Sequence, residues 1–242
     1  MSDKRVVVTG MGVVSPIGNN LDHFWNNLKK GTNGINDISL FDATNFDVKI
    51  AGESNIDLKS FFDRKELNKL DRFSAFALIA AEQAINQSNI LDCKTSLSRI
   101  GVIVGSGIGG IGTFEAQHKK LLKNPRFVSP FFIPSMISDI AAGQISIKYG
   151  FKGINYSVAS ACATSNHAFG DAYKMIQSGM ADVIVSGGSE AAITEMSIAG
   201  FSNMKALSKN QDRKSASRPF DKNRDGFVMG EGAGILVLES YN

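Results

Sequence analysis

Three features of the sequence predict an α/β fold with a five-stranded, mostly parallel sheet flanked by helices. Five short runs rich in Val and Ile recur along the chain, apolar throughout instead of alternating. Continuous apolarity marks strands covered on both faces. Segments with helically spaced apolar residues lie between these runs. At 242 residues the chain is also long enough for a large core, since a chain of this size hides roughly 70% of the surface it exposes when unfolded.

In order along the chain, the first run is RVVVTG at 5–10. A helix is predicted over 21–30, where Phe24, Trp25 and Leu28 recur at helical spacing. Residues 31–62 are polar and irregular, which reads as a surface excursion, and DRKELNKLDR at 63–72 is a basic helix start. An Ala-rich helix follows over 73–87, then the second strand, RIGVIVGS at 99–106. A helix over 136–149 places Ile137, Ile140, Ala141 and Ile145 on one side. The third strand, INYSVAS at 154–160, runs directly toward a helix over 163–178 that Gly179 stops. DVIVSGG at 182–188 and GILVLES at 234–240 complete the strands, with a polar excursion at 205–226 between them. No internal repeat, low-complexity tract or linker interrupts this order, so residues 1–242 read as one domain.

Hydrophobic content of 43% with 20% charged residues is ordinary for a soluble globular protein. A net charge of +3 is too small for a nucleic-acid binder. Cys93 and Cys162 are the only cysteines, far apart and without CxxC spacing. That pattern argues against a secreted disulfide framework and a thiolate metal site, and favours a reducing cytosol. The apolar run at 6–8 is cut by Thr9 and Gly10, too early for a signal-peptide core. Nothing approaches the ~20 apolar residues of a membrane helix. A cytoplasmic protein with no metal, no nucleic-acid partner and no membrane partner is expected.

NYSVASACATSNHAFGDAYKMI at 155–176 carries the most chemical information. An extended run reaches Ser160, Ala161 and Cys162, and a helix begins there. The small neighbours Ala161 and Ala163 permit a sharp turn that presents the Cys162 sulfur at the first helical turn. Unpaired amides and the positive end of the helix dipole gather at such a turn. Both favour thiolate over thiol, and the same amides are suited to stabilising an oxyanion. The competing reading is a buried structural cysteine. His167 lies five residues further on, about 140° around a helix, which makes it a poor base for Cys162. His23 and His118 sit in ordinary helical segments, so no Cys–His–Asx arrangement is legible.

GSGIGG at 105–110 satisfies the GxGxxG pattern directly after a strand. A dinucleotide site also needs an acid about 20 residues later to hold the ribose. That window reads KNPRFVSPFF, with two prolines and no acid. TGMGVVSPIG at 9–18 lacks the third glycine. Both runs are read as tight turns and close backbone packing, and no cofactor is expected. In the basic helix start, Arg64, Lys65, Lys69 and Arg72 cluster, with Arg126 and Lys205 elsewhere. A solvated face and a docking patch for an acidic partner are the two readings.

ASACATS at 159–165 resembles the active-site stretch of the β-ketoacyl-acyl-carrier-protein synthases. VVVTGMGVVSPIGN (6–19), GSGIGGIG (105–112), SPFFIPS (129–135) and SRPFDKNRDGFVMGEGAGILVLE (217–239) agree in the same order. The chain is most similar to the amino-terminal half of the type II, elongating ketosynthase of bacterial fatty-acid synthesis. The resemblance implies one half of a duplicated, layered thiolase-like fold, paired as a homodimer, with acyl carrier protein and its acyl and malonyl thioesters as partners. It implies that Cys162 takes the acyl group and that decarboxylated malonyl-acyl carrier protein attacks the thioester, giving a 3-oxoacyl product. It places the Cys162 amide in the oxyanion hole, Ile108 at the gate of the acyl pocket, and Phe201 and Phe132 along its lining, Phe132 from the neighbouring subunit. Arg64, Lys65, Lys69, Arg126 and Lys205 become the carrier-protein docking set. The family's two histidines and lysine match nothing in this sequence, which stops at Asn242. A fragment or half of a split protein is therefore expected, inactive in condensation alone and prone to aggregate. A polyketide-type ketosynthase and a nicotinamide-dependent oxidoreductase are the alternatives.

Overall fold

The computed structural model describes residues 4–241. In chain order the elements are β1 (Val6–Val14), α1 (Leu21–Lys29), β2 (Asn36–Asp37), β3 (Ile50–Ala51), α2 (Arg64–Leu67) and α3 (Arg72–Ser88). Then come β4 (Ile100–Gly105), α4 (Ile111–Leu121), α5 (Phe132–Met136), α6 (Ile140–Tyr149) and β5 (Asn155–Tyr156). The last are α7 (Thr164–Gln177), β6 (Val183–Glu190), α8 (Glu195–Asn203) and β7 (Gly232–Ser240). All five expected strands are present, although the third shrinks to two residues before the chain leaves the sheet. Helix α4 contains His118, expected in a helical segment, whereas α8 falls where no helix is expected.

The main sheet has the order β1-β7-β6-β4-β5. Strand β7 is antiparallel to both β1 and β6, while β6, β4 and β5 pair in parallel. Four strands therefore point the same way and one is inserted in reverse, so the ladders divide evenly between the two kinds. Side chains alternate between two buried faces. Val102, Val104, Val183, Val185, Ile235 and Val237 meet one core with α3 and α6. Ile103, Ile184 and Leu238 meet another with Ala168, Ala172 and Ile176 of α7. Burial on both sides is why these strands read as unbroken apolar runs.

Helix α3 is buried along most of its length and is rich in alanine. The small side chains let β1 approach very closely. A β-carbon on Gly12 would lie 1.9 Å from the Ala80 carbonyl oxygen, and one on Gly10 would lie 2.0 Å from that of Ala84. The glycines of the TGMG run are therefore packing residues. Asp71 caps α3 at its start and Asn89, at φ 54°, ends it in the left-handed region. Gly179, at φ +78°, follows α7 as the sequence predicts.

The two polar excursions are not loose surface segments. Asn33 donates to the Arg213 carbonyl at 2.6 Å and Gln211 to that of Asp47 at 3.0 Å, joining them, and just beyond the second Gly52 donates to the Met229 carbonyl and accepts from the Glu231 amide. Together they cover a smaller core of Val48, Ala51, Ile193, Ile198, Leu207 and Met229. Arg72, grouped by sequence with the basic patch, turns instead to the buried Glu231. Its guanidinium reaches both carboxylate oxygens at 2.9 and 2.6 Å. Among the described residues no helix is long and apolar enough to cross a membrane.

Candidate active site

The parallel strands β5, β4 and β6 end on one edge of the sheet, the place where open α/β sheets hold their ligands. Each brings a different piece. From β5 the chain runs on through 157–160 into a single 3-10 turn, Ala161–Ala163, and then α7. Strand β4 opens into the glycine loop, and β6 ends on Glu190.

Cys162 sits in the 3-10 turn and is exposed. The preceding Ala161 has φ +50°, a left-handed conformation that costs an L residue on the order of 1–2 kcal/mol. Ser160 is held from three sides. Its amide donates to Thr164 Oγ1 at 2.8 Å, its carbonyl accepts from the Ala163 amide at 3.1 Å, and its Oγ lies 2.6 Å from His167 Nδ1. His167 thus serves the backbone corner, two residues before the thiol. No side chain caps the start of α7, so its first-turn amides face the same corner. The other thiol, Cys93, is also exposed and donates to the Ile90 carbonyl at 2.9 Å.

The glycine loop packs directly against this corner. A β-carbon on Gly105 would lie 2.3 Å from Thr164 Cγ2, and one on Gly188 would lie 2.9 Å from Ser165 Cβ. Within the loop, Gly107 and Ile108 donate their amides to Glu190 Oε2 at 2.7 and 3.1 Å. Ser106 donates to Glu190 Oε1 at 2.9 Å. Burial pushes the Glu190 carboxyl above its ordinary value, against the pull of these donors, and the nearby Asp71 charge adds to the rise. Asp71, raised chiefly by burial, accepts from the Thr113 amide at 2.8 Å, in the first turn of α4 just beyond the loop. The run is close packing, as the sequence predicts, but two of its amides meet the Glu190 carboxylate of this same chain.

The other expected residues divide. Ile108 is 43% exposed on the loop beside the thiol corner. Phe132 opens α5, half-buried, with its ring 6.4 Å from that of Phe114. Phe201 lies in α8 against Phe227, ring centroids 5.7 Å apart. Phe132 borders a cavity of about 630 Å3, whose lining includes neither Cys162, Ile108 nor Phe201. Arg64 and Lys65 are exposed on α2, and Lys69 holds its ammonium 5.1 Å from the Phe131 ring centroid. Arg126 occupies the turn leading to α5, and Lys205, at φ 60°, follows α8. Among the described residues none of these five joins an ion pair within 4.0 Å. Among the described residues no three His, Cys, Asp or Glu side chains converge as a metal site does. Sequence reasoning missed Glu190. The available signal was a lone acid ending an apolar strand.

Residues 3–242 match the family model described as β-ketoacyl synthase, N-terminal domain. The chain is 50% identical to 3-oxoacyl-[acyl-carrier-protein] synthase 2 of Staphylococcus aureus (strain COL), over 98% of this chain and 58% of the relative. It is 48% identical to the protein of the same name from Synechocystis, over 99% of this chain. The chain thus spans under two thirds of the curated relatives it matches, 58% in both cases. Among solved structures it is similar to a β-ketoacyl synthase from Burkholderia phymatum, with TM-score 0.85, 30% identity, and 98% of this chain and 59% of that one covered. It is also similar to a type II polyketide ketosynthase in complex with its acyl-carrier protein, with TM-score 0.87, 31% identity, and 99% and 59% covered.

Proposed function

Because the chain belongs to the β-ketoacyl synthase family, we propose that Cys162 is the acyl acceptor of a 3-oxoacyl-acyl-carrier-protein synthase. The observation that carries this is an exposed thiol on a strained corner, at the uncapped start of α7. In acylation the Cys162 sulfur attacks the carbonyl carbon of an acyl thioester. The carbon–sulfur bond to the carrier breaks, the carrier leaves as its thiol, and the acyl group stays on Cys162. Negative charge gathers on the carbonyl oxygen between these events. The family resemblance assigns the Cys162 amide to that oxygen, and the neighbouring Ala163 and Thr164 amides are already engaged with the Ser160 and Ala161 carbonyls.

Ile108 guards the entrance for the acyl chain, with Phe201 and Phe132 along its path. Phe132 reaches it from a second copy of the chain, a reading supported by the separate cavity that Phe132 borders in its own copy. The exposed Phe131, Ile133 and Ile137 supply apolar surface for such a homodimer. Arg64, Lys65, Lys69, Arg126 and Lys205 receive an acidic carrier protein, and the reaction takes place in the cytoplasm. Condensation needs groups that stabilise the enolate left when malonyl loses carbon dioxide. The three histidines lie in α1, in α4 and on Ser160, so the 242-residue chain alone stops at acylation.

Incubation with an acyl-carrier-protein thioester followed by peptide mass spectrometry tests the reading. The acyl mass is expected on Cys162 and not on Cys93. An unmodified Cys162 in folded protein overturns it. Radiolabelled malonyl-acyl carrier protein should give no condensed product with this chain alone. The likeness to a polyketide ketosynthase favours a second reading, in which the same thiol carries a polyketide chain. Faster acylation by 3-oxoacyl than by saturated thioesters would select it.

A further inference from the structure

The amides of residues 107, 108 and 109 form a small nest of donors, the arrangement that elsewhere binds phosphate. Here Glu190 fills it. One carboxylate oxygen takes Gly107 and Ile108 directly, at 2.7 and 3.1 Å. The other takes the Ser106 hydroxyl at 2.9 Å, and that hydroxyl in turn accepts from the Gly109 amide at 2.9 Å. A β-carbon on Gly107 would lie 2.9 Å from Glu190 Oε2, so a larger residue there would push that oxygen from its place in the clasp. The far end is fixed as well. Gly110 donates to the Met136 carbonyl at 2.8 Å, and Thr113 to Asp71 at 2.8 Å. Between the two anchors Ile108 is the one large side chain of residues 105–110. Gly107 faces the thiol corner, its would-be β-carbon 3.7 Å from Ala161 Cα.

We propose that Glu190 is a positioning residue for acyl transfer: by occupying this nest it fixes Gly107 and Ile108 as the wall beside Cys162, and so sets which acyl chains the thiol accepts. The proposal rests on the reading of Cys162 as acyl acceptor. Glu190 touches no reacting atom. It acts through the loop, which distinguishes it from a residue that activates the sulfur.

The test compares the wild-type 242-residue chain with Glu190→Ala and Glu190→Gln. Three quantities are read: amide hydrogen exchange across 106–109, Cys162 acylation by a short and a long acyl-carrier-protein thioester, and Cys162 alkylation by iodoacetamide. Loss of hydrogen bonds to a charged acceptor should speed exchange at 107 and 108 by about tenfold or more. The ratio of long-chain to short-chain acylation should shift by about tenfold, with alkylation within about twofold of wild type. Gln keeps the shape but puts an NH2 where one oxygen stood, so one donor set loses its acceptor and the same shifts appear, smaller. Should the Ala variant fail to fold, the Gln variant decides. Unchanged exchange, an unchanged acylation ratio, or a fall in all rates together with alkylation overturns the proposal. A wild-type chain that alkylates but takes no acyl group removes the acyl-acceptor reading itself, and exchange then judges the clasp separately.

Discussion

At Cys162 the chemistry depends on a backbone conformation that the local residues do not favour. Ala161 is held at φ +50° because Ser160 is gripped through its amide, its carbonyl and its hydroxyl. Alanine tolerates that conformation at modest cost, whereas a β-branched residue does not. Replacing Ala161 by Val should lower stability by about 2 kcal/mol and slow Cys162 alkylation. Denaturant melts and iodoacetamide kinetics measure the two effects, and unchanged alkylation would show that the corner does not depend on the backbone. The junction of extended run and helix was legible because small residues flank one cysteine. The Ser160–His167 contact was not. It joins positions seven apart across a turn that follows neither helical nor strand periodicity.

Between elements, two contacts decide behaviour. Strand β1 lies so close to α3 that Gly12→Ala would bring a β-carbon to 1.9 Å from a backbone oxygen. Backbone cannot yield as a side-chain tip does, so a loss of about 3 kcal/mol is expected in an equilibrium melt, with Gly170, exposed on α7 where a β-carbon would meet nothing within 4 Å, as the comparison that loses nothing. The second contact is electrostatic. Burial raises the Glu190 and Asp71 carboxyls above their ordinary values of 4.5 and 3.8. The folded state then holds their protons more tightly than the unfolded chain does. Each contributes stability that is full below the ordinary value and declines as pH climbs through the raised one. Asp182 runs the other way. The Arg99 guanidinium, hydrogen-bonded to it at 2.9 Å, lowers its carboxyl, so its contribution is present above 3.8 and is lost as pH falls through the lowered value. The thermal midpoint of wild type relative to Glu190→Gln should therefore fall as pH rises from acid to neutral. A relative midpoint that rises over that range contradicts the assigned direction.

On the scale of the molecule, the surface is apolar in several places at once. Trp25 and Leu28 on α1, and Ile133 on α5, are about half or more exposed, at 58%, 49% and 54%. Such clusters on a folded chain mark surfaces that meet other protein. Light scattering over a concentration series should show association beyond the monomer. Replacing Ile133 by a charged residue should weaken it, while leaving the melt unchanged within about 0.5 kcal/mol. A monomer at every concentration would contradict the homodimer.

The sequence by itself determined the strands, most of the long helices and the position of the thiol. Each depends on local periodicity or on neighbours in the chain, and those are written residue by residue. Only the tertiary structure decided what surrounds the thiol. The reversed insertion of β7, the meeting of the two polar excursions and the seating of Glu190 in the amides of 107–109 join positions far apart in the chain, at the extreme Val6 with Ser240. No local pattern encodes those pairings, because they arise from which buried donors and acceptors find each other once the sheet has closed around its core.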